Sequence, residues 1–115
     1  MDTLKSPFQI GDEYENWEFE LDILPDRIKG YDSYKYIGKE FKFFLNYLPD
    51  ETELIFNLDI LEGVLFVFKD LTEKQFENLK VRMKNREGVR MLLRGNAVYL
   101  IYGLTDLKVR LASSL

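Results

Sequence analysis

Three runs in this chain, FKFFLNYL at 41–48, VLFVF at 64–68 and AVYLIY at 97–102, put apolar residues at consecutive positions instead of alternate ones. A strand with one wet face alternates, whereas a strand that is apolar on both faces needs cover on both. That demand restricts the fold strongly, because only one helix is plainly written to supply the cover. Six strands at about 4.8 Å spacing span roughly 29 Å, while a helix is only about 10 Å across. Either the sheet curls around that helix, or a second copy of the chain buries its other face.

The helix is predicted near 72–86. Thr72 can cap it with its hydroxyl, and Gln75, three residues on, completes a capping box. Phe76, Leu79 and Met83 then fall on one stripe. Lys80, Arg82, Lys84 and Arg86 crowd the last turns, where cations suit the helix dipole, and Gly88 is the expected stop.

Elsewhere the pattern is that of strands. NWEFELDIL at 16–24 and TELIFNLDI at 52–60 alternate cleanly, and YKYIGKEFKFFLNYL at 34–48 is strand-like with a break at Gly38. PDRIKG at 25–30 and LPDE at 48–51 are expected turns. LEG at 61–63 is expected to turn the chain into VLFVFK, and Gly95-Asn96 to join VRMLL to AVYLIY as a hairpin. Residues 1–13 read as an irregular acidic approach, and 104–115 as either a last strand or a helical turn. The expected fold is α+β, a mainly antiparallel sheet of about six strands with one helix and a following hairpin. The 115 residues fit a single domain.

With 46% hydrophobic residues the chain has the apolar content of a folded domain. It has no cysteine, so no disulfide, thiolate zinc site or cysteine nucleophile. It has no histidine, which removes the usual general base near neutral pH and the commonest metal ligand. The pairs Glu13/Glu15 and Glu18/Glu20 lie in no recognisable catalytic or ion-binding motif. The expectation is therefore a non-enzyme without cofactor or metal, a carboxylate-metal enzyme being a minor alternative. The first residues do not read as a secretory signal, and no apolar run approaches the ~20 residues of a membrane helix. A cytoplasmic protein without a membrane partner is expected.

Charge is unevenly spread. Residues 1–60 hold 14 acids and six bases, a balance of −8, while 61–115 hold six acids and ten bases, a balance of +4. Read as one strand, NWEFELDIL lines Glu18, Glu20 and Asp22 along a single face about 6.8 Å apart. Lys29, Lys39 or Lys42 could neutralise that row across the ladder. Left unbalanced, it would steer a cationic partner. Asp26, Tyr31, Asp32, Tyr34 and Tyr36 follow in and just after the next turn, and tyrosine is favoured where an interface is desolvated. These eight residues form the expected partner-binding surface. The expected partner is a basic protein of the toxin or nuclease class, held by an inhibitor or immunity-type antagonist with no direct contact to nucleic acid. The alternative is a self-assembling structural subunit or chaperone, phage- or secretion-related, that uses the surplus apolar face and forms a homodimer. Small, acidic, cysteine-free α+β chains recur among immunity proteins, phage inhibitors and secretion chaperones, but that resemblance is one of composition and assigns no residue.

Overall fold

The computed structural model describes residues 7–39, 49–84 and 88–115. Six strands, β1 (Leu21–Leu24), β2 (Asp32–Tyr36), β3 (Glu51–Asn57), β4 (Ile60–Lys69), β5 (Val89–Arg94) and β6 (Ala97–Gly103), form one sheet in the order β1-β2-β3-β4-β6-β5. Every neighbouring pair is antiparallel and the sheet stays open. Helix α1 (Glu73–Met83) precedes β5, and helix α2 (Thr105–Ser114) ends the chain. The α+β antiparallel architecture is as expected. The second half of the strand-like stretch 34–48 lies outside the described residues from position 40 on, as do Lys42 and Arg86.

Partners in an antiparallel ladder share a face, so the register sorts the side chains. On the first face lie Leu21, Tyr34, Leu54, Val64, Phe66, Phe68, Val98, Leu100 and Tyr102. Helix α1 covers part of it with Leu79, Met83 and Phe76. Its capping box forms as expected: Gln75 N donates to Thr72 Oγ1 at 3.1 Å, and Thr72 N donates to Gln75 Oε1 at 2.9 Å. The rest of that face is covered by the N-terminal segment. Phe8 packs against Trp17 and Tyr36 at ring separations of 4.9 and 5.0 Å, and its carbonyl accepts from the Tyr102 hydroxyl at 2.6 Å.

The second face was the open question, and the chain closes it with its own tail. Residues 105–114 are helical, and Leu107, Leu111 and Ala112 pack on Ile55, Leu65 and Ile101. Gly63 makes room for them, since a Cβ there would lie 2.8 Å from Leu107 Cδ2. The loop between β1 and β2 folds over the same face and buries Ile28. It is tied down by a fork of two bonds, Arg27 Nε to Glu53 Oε2 at 2.9 Å and Arg27 Nη2 to Glu53 Oε1 at 2.7 Å. Glu53, only 6% exposed, holds Arg27 above its usual pKa, mainly through this hydrogen bond.

Two expectations need correction. The stretch 16–24 is not one strand: Tyr14–Asn16 and Glu18–Glu20 are 3-10 turns, and only Leu21–Leu24 is extended. Trp17, half-buried against Phe8, anchors the approach from the first face, and the chain must coil to deliver it there. The β3–β4 hairpin also turns earlier than LEG. Its loop is Leu58-Asp59, between the paired residues Asn57 and Ile60, with φ of 50° and 66°. A two-residue loop with both central residues left-handed matches the right-handed twist of its strands. The apparent alternation through Leu58 and Ile60 concealed it. By contrast, Gly95-Asn96 is the two-residue turn expected.

Candidate protein-binding surface

The N-terminal segment docks on the end of β4 that extends beyond β6. Gly11 N donates to Leu61 O and Leu61 N to Asp12 O, both at 2.8 Å, and Tyr14 N donates to Asp59 O at 2.7 Å. Glu13 and Ile60 form an antiparallel bridge. This docking sets the two 3-10 turns beside the β3–β4 loop. Between them lies a cleft of about 350 Å³ lined by Glu13, Glu15, Glu18, Asp59, Tyr14, Leu58 and Ile60. Four of these are carboxylates and none is basic.

Of the lining residues Tyr14 also belongs to an aromatic cluster on the first face. The Tyr14 ring stands 5.1 Å from Tyr34 and 5.6 Å from Phe56, and Tyr34 meets Phe56 edge-on at 5.7 Å. The Tyr34 phenol is pushed above its usual pKa, first by burial, then by neighbouring Tyr14 and by the charges of Asp32 and Asp59. Three large apolar side chains stand out at this end of the chain or beside it in the ladder: Leu58 is 87% exposed, Phe19 91% and Ile23, the ladder partner of Tyr34, 80%.

The eight sequence-selected residues do not form one surface. Glu18 lines the cleft, while Asp32 and Tyr34 share the first face close to it. Glu20 is half-buried and accepts a hydrogen bond from the Tyr36 hydroxyl at 3.1 Å. Tyr36 is itself core. Gly38 permits this contact, because a Cβ there would overlap Tyr36 Oη and Glu20 Oε2. Asp22 lies on the second face, opposite Lys35 in the β1–β2 ladder, a position that neither Lys29 nor Lys39 occupies, while Lys42 lies outside the described residues. Tyr31 is also on that face, with the Arg110 guanidinium 5.5 Å from its ring centre. Asp26 is exposed in the β1–β2 loop. The row of three acids is thus broken by the 3-10 turn.

Glu13, Glu15, Leu58 and Asp59 were absent from the expected surface. A signal for the last two was there: TELIFN and ILEGVLF are each strand-like and are separated by exactly the two residues LD, once the break is put there. Among the described residues no cluster of three or more acids is placed to hold a metal ion, and no helix is long and apolar enough to cross a membrane. A wider groove of about 620 Å³ lies between the start of α1 and the β5–β6 hairpin, lined by Leu71, Phe76, Leu93 and Val98 among others.

No family model matches this chain, no curated protein matches it, and no solved structure matches it. What the surface can do therefore has to come from its own chemistry.

Proposed function

We propose that this protein is a non-enzymatic binding module that captures a basic protein at the cleft between the 3-10 turns and the β3–β4 loop. Leu58 carries the reading. A leucine in the left-handed region costs roughly 1–2 kcal/mol, and folding alone would favour Asn-Gly at such a turn. The chain instead presents a strained, nearly fully exposed leucine amid four carboxylates. Burying that side chain in a partner is worth about 1.5–3 kcal/mol, enough to offset the strain on binding. The carboxylates would meet Lys and Arg of the partner and speed the encounter. Capture of this kind occludes cationic groups, which silences a partner that uses them to hold phosphate, such as a nuclease or a nucleic-acid-directed toxin.

The test is affinity capture from a native lysate with three immobilised proteins: wild type, Leu58→Asn, and a cleft variant with Glu13, Glu15, Glu18 and Asp59 changed to Lys. A basic protein held by wild type and released by both variants, each shown folded by circular dichroism, is the expected result. Equal capture by all three, or captured proteins that are not basic, would overturn the reading. Replacing Glu18, Glu20 and Asp22 together is a poorer probe, since it also removes the acceptor of the Tyr36 hydroxyl.

A further inference from the structure

The two rims of the sheet are complementary to one another. Among the described residues no strand pairs with the outer side of β1 or of β5. Six strands that alternate in direction leave β1 and β5 running oppositely. A second copy set beside the first in the same orientation therefore brings its β1 antiparallel to the first copy's β5, with first face continuing first face.

Face matching restricts the register. Ile23 of β1 and Leu93 of β5 both belong to the first face, where they are 80% and 54% exposed. Asp22 and Leu24 belong to the second face, as do Arg90, Leu92 and Arg94. One antiparallel register sets Asp22 opposite Arg94, Ile23 opposite Leu93 and Leu24 opposite Leu92. Opposite charges and apolar pairs then coincide at three of the four positions of the shorter strand, Leu21 falling opposite Gly95 of the turn beyond β5, and such pairs stabilise a ladder. Among the described residues no ion pair engages Asp22 or Arg94, and the Arg94 guanidinium donates to the carbonyl of Leu93 at 3.1 Å.

We propose that this chain self-associates head to tail through these rims, the β1 edge of one copy adding to the β5 edge of the next. Symmetric pairing is disfavoured: β1 with β1 brings acid towards acid, and β5 with β5 brings arginine towards arginine. Charges also blunt sheet edges against pairing, and short edge strands do the same. Blunting alone needs no opposite signs on the two rims and no register in which apolar residues match. A heterologous contact of this kind closes into a ring or continues as a filament.

Light scattering on the full chain from micromolar to millimolar concentration tests it, with Asp22→Arg, Arg94→Asp and the double exchange. The wild-type mass is expected to rise from that of one 13.7 kDa chain to at least twice that value, and less so in high salt. Each single exchange makes both rims the same sign and should hold the protein at one chain. The double exchange, and an equimolar mixture of the two single variants, should restore association. Circular dichroism establishes that each variant is folded. A wild type that remains one chain at millimolar concentration overturns the proposal, as does a dimer indifferent to the single exchanges or a mixture that fails to associate.

Discussion

On the first face of the sheet the cover beside α1 is aromatic and irregular: Phe8 sits among Trp17, Tyr36 and Phe66, carried by a segment with only single 3-10 turns. On the second face it is a ten-residue helix and a loop held by an ion pair. The irregular cover has to satisfy its own backbone, which it does by bonding to the overhanging end of β4. The helix satisfies itself and needs only a flat landing, supplied by Gly63. The first arrangement leaves side chains free to point outward along the segment, and the acidic cleft is built there. On the second face the carboxylate of Glu53, on β3, is instead buried beneath the loop and paired with Arg27.

If that contrast is right, apolar truncation should hurt the first face most. Phe8→Ala removes a fully buried ring and should cost about 3–5 kcal/mol in urea denaturation, with a change in emission of the single tryptophan, Trp17, as the segment loosens. Leu107→Ala, equally buried on the sheet-facing side of α2, should cost about 2–4 kcal/mol and leave that emission unchanged. A larger loss at Leu107 than at Phe8 would break the comparison.

The ion pair on the second face sharpens it. Glu53→Ala leaves the Arg27 guanidinium without its partner, and breaking a buried pair costs about 3–5 kcal/mol. Arg27 is 30% exposed, so solvent can take over part of that role and about 2 kcal/mol is expected. Changing both Arg27 and Glu53 to Met should be nearly neutral, because it strands neither charge. A double variant as unstable as the single one would show that the fork itself, and not the isolated charge, holds the loop.

The same contrast explains what could be read in advance. Helix α1 was legible because it announces itself locally, with a capping box and a stripe. Helix α2 starts after Leu104, which offers no side-chain cap, and its buried residues are only Leu107, Leu111 and Ala112. Its helicity answers a need of the sheet, to cover Ile55, Leu65 and Ile101, that no short window contains. The acids were misplaced for a similar reason. Strict alternation in NWEFELDIL argues for a strand, but the burial of Trp17 against Phe8 and the bond from Tyr36 to Glu20 are tertiary, and they coil the chain there. The hairpins β3–β4 and β5–β6 were legible from their spacing, but the pairing of β4 with β6, across α1 and β5, was not. Nor was the cleft, because it depends on where residues 11–14 meet residues 59–61.

The smallest expected effect separates the faces by pH. Tyr34, on the first face, has its pKa raised above 10.0 by burial and by Tyr14, Asp32 and Asp59. Its neutral form is therefore favoured in the folded state, and the unfolded chain loses that proton first as pH rises. The associated stability is whole below pH 10 and is lost as pH rises through the folded value. Arg27, on the second face, is held above its already high usual pKa by its hydrogen bond to Glu53, so it stays charged across the same window. Lys69, also raised above its usual 10.5 by its bond to Glu51, is exposed and its pair contributes little. Urea midpoints at about pH 9 and about pH 11 should therefore fall less for Tyr34→Phe than for wild type. Arg27→Met should fall as wild type does. An alkaline loss that Tyr34→Phe leaves intact would mean that the first face is no more exposed to ionisation than the second, and that the carboxylates around Tyr34 lie too far into solvent to act on it.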